Sequence, residues 1–541
     1  MPRGATSNPR RQRGAIGIWG AMTLMLAVVF TALAVDSGRL WMQRRQLQLV
    51  ADIAAIQAAK HMGCGFTLAD VLAAAQQAAV NNGYKGNLGA SPNKVELGNV
   101  ATVGGIRQFS AGAGQEAVHV YATQTVPASL VAGGMFTSKI TLHAEAVASA
   151  NPPIAAFSAG SFLARLTTND DASLLNGLMG NLLGSSLNLD LVSYQGIAAS
   201  DVTLLGLLKA QNQVGTVDEL LASNMSLADF AQLTATAMSN SGTANAQAVA
   251  AMQQLASATV SNLSLNVGDV LAVTSPDKQA AGNVNVNALS LIMTAAMVAN
   301  GQHALTLPLA VSVPPITSVN ALVTVIEPPQ LAIGPAGNNG VMCTTLHTAQ
   351  IRAQAGVKVN LALAAIDLAL KLEVAQGSAG LESITDSGGN TEVQIAATPG
   401  IASLALTGSN GTGTAQITTL LGIPIANLGL NLPIQASAQT LVYDVPHPVT
   451  DNLPQTQTVS SPVGGSLENA LSQSNALTVT VLGIGVGGLV NSMVNSVVSP
   501  LLGQIGKTLL DPLLDMLGLH VGGMDVTLDG VQWRQSKPLI I

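Results

Sequence analysis

The chain has 541 residues, of which 48% are hydrophobic, 9% charged and only 3% aromatic, and its net charge is −7. So much apolar content excludes an intrinsically disordered chain, which cannot bury enough surface to offset the entropy of ordering. The acidic balance excludes a nucleic-acid partner, whose phosphates call for basic stripes. Scarce aromatics leave the cores to Ala, Val, Leu and Ile.

Residues 1–14 form a basic tail that holds Arg3, Arg10, Arg11 and Arg13. The next run, Ala15 to Val35, contains no charged side chain. As a helix it would measure about 32 Å, enough to cross the roughly 30 Å hydrocarbon core of a bilayer. A cleavable secretory signal is the rival reading, but its apolar region would be shorter, about 7–15 residues, and would end at a small-residue site. A retained transmembrane helix over 15–35 is the expectation. Four arginines precede the span and three (Arg39, Arg44, Arg45) follow it closely, a bias that puts the N-terminus in the cytoplasm and exports the remainder.

No helix breaker stands between Arg39 and Met62, and Leu40, Leu47, Val50, Ala54 and Ala58 recur at helical spacing. The span therefore continues as one helix to about His61, a rod of roughly 70 Å. Its alanine-lined face suits packing against another helix or a sheet. Gly63 and Gly65 stop it.

The ordered set Arg13-Gly14, apolar span, Asp36-x-Gly38-Arg39, Arg45-x-Leu47-Gln48 and Ala51-Asp52-x-Ala54-Ala55 resembles the N-terminal region of TadE/TadG-like proteins. These belong to the Flp (tight adherence, Tad) pilus-assembly systems of bacteria. The resemblance implies a pilin-like component of a pilus or secretion apparatus, anchored in the inner membrane, with other apparatus proteins as partners. Type IV pilins and TadE-type pseudopilins carry a glutamate five residues after the cleavage glycine. Counted from Gly14, that position is Trp19. Prepilin-type processing is therefore not expected, which is more TadG-like than TadE-like.

Thr67 and Asp70 read as a capping box opening a helix over Leu68–Asn81. From Lys94 the period becomes two. Val118, Val120 and Ala122, then Ile140, Leu142, Ala144, Ala146 and Ala148, mark half-buried strands. This strand pair also resembles the one that follows the helix in the same family, so 36–150 is expected to be a pilin-like, TadG-type unit. Asn151-Pro152-Pro153 marks a boundary. Residues 151–260 read as mostly helical, with helices at Ala172–Leu183, Ile197–Ala210, Val217–Ala222, Leu227–Met238 and Ala244–Ala256 and a strand at Ser186–Val192.

Residues 261–445 read as β-rich. The longest alternation, Thr348–Val374, changes parity near Ala364-Ala365, as one long strand bent by a β-bulge would; a helix through Leu361–Leu372 is the alternative. Residues 446–466 read as a linker or loop. The last segment, 467–541, holds a strand at Ala476–Leu482, amphipathic helices to about Leu517 and two short closing strands around Met524–Trp533. The fold class is thus α+β: a long transmembrane helix extended into a helix-plus-antiparallel-sheet unit, then a large exported α+β region with long, bulged antiparallel strands.

The chemistry is sparse. Gly483, Gly485 and Gly488 match G-x-G-x-x-G, but no acidic residue on a second strand follows at the spacing of a dinucleotide fold. Gly506-Lys507-Thr508 lacks the first P-loop glycine, since position 501 is Leu501. No nucleotide or other cofactor is expected. The histidines are scattered without zinc spacing, and His119 and His143 read as surface residues on paired strands. Gly377-Ser378-Ala379-Gly380 is not a nucleophile elbow. Asp171-x-Ser173 is followed by Leu175, so the metal motif of a von Willebrand A domain is incomplete. The protein reads as a structural component, not an enzyme. A second reading is a hydrophobic-ligand module lined by Val357, Leu361, Leu368 and Leu372. The chain has 2 cysteines, Cys64 and Cys343, which pair in an oxidising compartment or stay as buried thiols.

Overall fold

The computed structural model describes residues 13–62, 65–103, 106–112, 117–129, 138–150, 152–159, 169–211, 215–242, 244–259, 263–274, 278–301, 304–313, 316–338, 340–361, 363–430, 437–459, 477–516, 519–520 and 523–533. These divide into two compact units. One holds 13–62 and 67–150, the other 65–66 and 152–533.

The first unit begins with helix α1 (Arg13–Lys60), whose 48 residues run without interruption. Helix α2 (Leu68–Asn81) follows, opened by the capping box of Thr67 and Asp70. Hydrogen bonds from Thr67 hold the Asp70 carboxyl below its usual pKa. Strands β1 (Lys94–Val103), β2 (Ile106–Ala111), β3 (Ala117–Pro127) and β4 (Lys139–Ser149) form an antiparallel sheet in the order β2-β1-β3-β4. Leu47, Val50, Ala54 and Ala58 of α1 meet Val118, Val120 and Ala122 of β3 and Ala144, Ala146 and Ala148 of β4 in one core. Helical and period-two patterns thus bury complementary stripes of small residues. Small side chains let the helix axis lie close to the sheet, which substitutes close packing for the bulk that aromatics would supply.

The second unit has a sandwich and a larger helix-backed sheet. In the sandwich, a six-stranded sheet runs Gln455–Val459, Gly523–Gln532, Ile154–Ala159, Leu331–Pro335, Leu271–Val273, with Leu519–His520 paired to Gly523–Gln532 at one end. Its Phe157, Val526 and Leu528 pack against Leu381, Ile395 and Tyr443 of a four-stranded sheet. The buried Tyr443 hydroxyl donates to the Val526 carbonyl at 2.7 Å, tying the two layers together. The larger sheet has eight strands, in the path 304–313, 316–327, 350–360, 364–374, 415–419, 424–430, 477–481, with 402–407 also paired to 364–374. One face of it shares a core with the helices between 169 and 300 and those between 487 and 516.

Several expectations are corrected. The Thr348–Val374 alternation is neither one bulged strand nor a helix but a hairpin of Gln350–Asn360 with Ala364–Val374. Ile351 faces Val374 and Val357 faces Leu368, so odd positions on one strand share a side with even positions on the next. A turn between two strands therefore imitates the parity change of a bulge. The segment Ser186–Val192 is not a strand, because Leu189 gives its N–H to, and takes its carbonyl's bond from, the Asn176 side-chain amide. Asp190 then caps a helix over Leu191–Ala198.

The helix expected at Ile197–Ala210 is broken by the strand Asp201–Thr203, paired with Asn285–Asn287. Within the β-rich stretch lies a helix, Ala288–Asn300, buried on nearly every side. With no solvent face it has no apolar stripe to read. Residues Gln455–Val459, inside the expected linker, form an edge strand. The two closing strands are chiefly one, Gly523–Gln532, flanked on both sides.

Candidate functional site

The residues that carry the family resemblance all lie on α1, and they serve two physical tasks. From Gly17 to Val35 the helix is apolar, and its best membrane-length window has no buried residue. Ile18, Trp19, Leu24, Phe30 and Leu33 all stand exposed. Water does not stabilise such a surface; hydrocarbon does. Arg13 and Gly14 are the first two residues of the helix.

From Asp36 onward the same helix is clamped to its unit. Ser129 Oγ donates to Asp36 Oδ2, and Arg39 Nη2 donates to the carbonyl of Pro127 at the end of β3. Gly38 lies between them with open space where a Cβ would stand. One turn further, Arg39 Nη1 reaches Gln43 Oε1 at 3.3 Å, and the Arg45 guanidinium lies 5.7 Å from the centre of the Trp41 ring. Gln48 Nε2 donates to the Glu145 carbonyl of the edge strand β4 at 2.8 Å and to Asp52 Oδ1 at 2.8 Å. Leu47, Ala51, Ala54 and Ala55 are buried against the sheet. Asp36, Arg39 and Gln48 thus hold the helix to the strand ends and rim of the sheet, Asp52 accepts from Gln48 on the same helix, and Leu47, Ala54 and Ala55 seat it.

His119 and His143 do not meet. The His119 ring lies between Glu96 (3.4 Å) and Glu145 (3.3 Å), and the His143 ring stacks on Tyr121 at 6.2 Å. Lys94 holds the Glu96 carboxyl below its usual pKa, with the His119 ring adding to the effect. The His119 side chain is mostly covered, at 14% exposure, but Lys94, Glu96 and Glu145 reach solvent, so these pairs add little to stability. Among the described residues, no group of three or more His, Cys, Asp or Glu side chains is placed to hold a metal ion. Gly483, Gly485 and Gly488 fall in the turn between strand Leu477–Val481 and the helix that starts at Gly487. Val357, Leu368 and Leu372 are buried in the main core, and Leu361 packs partly against it.

Cys343 is disulfide-bonded; Cys64 lies outside the described residues. Gly65, in the left-handed region at φ 76°, stands against the turn of Asn338 and Val341, so close that a Cβ would meet the Asn338 carbonyl at 2.6 Å.

A group the sequence reading passed over lies in the second unit. Asp529 occupies the register shift between Gly523–Gln532 and Ile154–Ala159, is buried, and has no hydrogen-bond partner on either carboxylate oxygen. Burial raises its pKa well above the usual carboxylate range; the nearby Ser158 hydroxyl opposes this and the charge of Asp201 adds to it. Asp201 itself is pushed up to about 6 by burial. Neither residue belongs to a motif, and only the fold brings them together.

Comparison with known proteins adds two matches. Residues 171–297 match a domain of unknown function (DUF8293). No curated protein and no solved structure matches the chain. Residues 57–148, which hold the docked end of α1, α2 and the sheet, match the family model for Tad-like Flp pilus-assembly, and by that match the chain carries a Tad-like Flp pilus-assembly region with a candidate transmembrane helix leading into it.

Proposed function

We propose that the protein is an inner-membrane-anchored, TadG-like structural component of a Flp/Tad-type pilus or secretion apparatus. Its N-terminus lies in the cytoplasm and the rest is exported, where it works through contacts with other apparatus proteins rather than by catalysis. The observation that carries this reading is the division of α1 at Asp36. An apolar stretch whose membrane-length window has no buried residue precedes that point, and a half seated on a four-stranded antiparallel sheet follows it. A helix laid on an antiparallel sheet is what the pilin-like reading expects, and it supports single-span anchoring with the sheet held outside the bilayer.

Membrane fractionation of a C-terminally tagged chain, with protease added to spheroplasts and N-terminal sequencing of the membrane form, tests the reading. Retention in the membrane, an intact N-terminus and digestion from outside are expected. A start at Ala15 would mean prepilin-type processing and a place in the fibre. A soluble fragment starting beyond Val35 would overturn the anchor.

Cys64 is the proposed partner of Cys343, the chain's only other cysteine. The contact of neighbouring Gly65 with Asn338 and Val341 supports it. Closing so long a loop stabilises by several kcal/mol, on the order of 5, in the chain-entropy model. Tryptic peptides of the unreduced protein should contain a 64–343 cross-link, and reduction should lower the melting temperature. Alkylation of Cys64 without reductant would refute the pairing.

A further inference from the structure

Strand Gly523–Gln532 has one apolar and one polar face. Met524, Val526 and Leu528 pack into the sandwich core, so the alternate residues Asp525 and Thr527 lie on the opposite face. Each has a partner on the neighbouring strand. The Thr458 hydroxyl donates to Asp525, and Thr456 and Thr527 share a hydrogen bond at 2.8 Å. That ladder ends where Gln455 pairs with Leu528, one residue before Asp529. On the strand's other side, Leu528 pairs with Phe157 and Gly530 with Ala156. The register shift leaves Asp529 without a residue opposite there too.

Two other groups come close to it. Ser158, which pairs with Thr527, acts on the Asp529 carboxyl without bonding it. Both side chains are 2% exposed, and Ser158 Oγ and the two Asp529 oxygens meet no hydrogen-bonding group of the protein. The second approach depends on Gly530, where a Cβ would stand 2.9 Å from the Asn285 carbonyl oxygen. Strand Asn285–Asn287 can lie that near only against a glycine. It pairs with Asp201–Thr203, and the charge of the partly buried Asp201 acts on Asp529.

Buried polar groups are nearly always bonded, and buried charges are paired or bind metals. No basic side chain among the described residues acts on either carboxyl. Two carboxylates and a hydroxyl, with no nitrogen or sulfur, are the donors that a hard cation takes. Two negative charges balance a divalent one, whereas a water molecule would bond these oxygens and leave the like charges uncompensated. We propose that Asp529, Ser158 and Asp201 hold a divalent, oxygen-seeking cation, calcium or magnesium, which fastens Asp201–Thr203 to the six-stranded sheet. The proposal does not depend on the membrane anchor.

The full chain in detergent micelles is stripped with EDTA, then melted at pH 8 in EDTA, in millimolar calcium and in millimolar magnesium. One of the two ions should raise the wild-type melting temperature by several degrees, and the stronger of them names the occupant. Asp529→Asn fills the same space without a charge and should lose that rise. Asp444→Asn, at an exposed strand position, should keep it. Asp201→Asn should weaken calcium binding roughly tenfold or more, read by equilibrium dialysis with radioactive calcium. No rise in the wild type with either ion would overturn the proposal and leave the carboxyls as proton carriers. An equal rise in Asp529→Asn would put the ion elsewhere and overturn it as well. Should Asp529→Asn fail to fold, an unchanged calcium affinity in Asp201→Asn is enough to overturn it.

Discussion

Replacing Ala55 by arginine should detach α1 from its sheet and unfold the first unit, at a cost of about 3–5 kcal/mol. Ala55 is wholly buried between helix and sheet. An arginine there overfills a packed layer and strands a guanidinium without a partner. Leu49, on the same helix but 53% exposed, is the control. Leu49→Arg should change stability by no more than about 0.5 kcal/mol. Hydrogen exchange of β3 and β4 in detergent-solubilised protein reads the effect: Ala55→Arg loses protection in both strands, Leu49→Arg keeps it. Retained protection in Ala55→Arg would show that the helix does not depend on this seat.

The second large effect concerns pH and two carboxyls, the buried Asp529 and the partly buried Asp201. Both carboxyls have folded pKa values raised above their ordinary value. A raised acid keeps its proton in the folded state at pH values where the unfolded chain has released it. Its favourable contribution is therefore complete below the unfolded pKa and falls away as pH rises towards the folded one. For Asp201 that window runs from 3.8 to about 6, a loss of roughly 2–3 kcal/mol at the linkage rate of 1.36 kcal/mol per pH unit. Asp529, more deeply buried, extends the decline to higher pH. Melting temperature should thus fall in the wild type from about pH 4 upward. Asp529→Asn should flatten that decline, melting higher than wild type at pH 8 and close to it at pH 4.5. Parallel melting curves across the range would show that Asp529 ionises freely.

Much of the first unit could be read from its residues because its patterns are local. The helix ends, the capping box at Thr67 and the alternation of Val118–Ala122 each need only a few neighbours along the chain. What Asp36 and Arg39 touch was not legible, since their partners Ser129 and Pro127 come from a strand end some 90 residues away. In the second unit local signals mislead for identifiable reasons. The 361–363 turn contains leucine where turns usually carry Gly, Asn or Asp, so the hairpin looked like a bent strand. The helix Ala288–Asn300 has no polar face to give it a period. The Leu187 and Leu189 alternation resembles a strand until the Asn176 amide takes the backbone bonds that a neighbour would have taken. Asp529 and Asp201 carry no pattern, because their meeting is a property of the assembled sheets alone.

The strand Gly523–Gln532 lies between Ile154–Ala159 and Gln455–Val459. Ile154–Ala159 must therefore wait for a partner roughly 360 residues further along the chain, on the order of 20–70 s at ribosomal speed. Throughout that interval an apolar strand with an open edge is a template for pairing with any other extended chain.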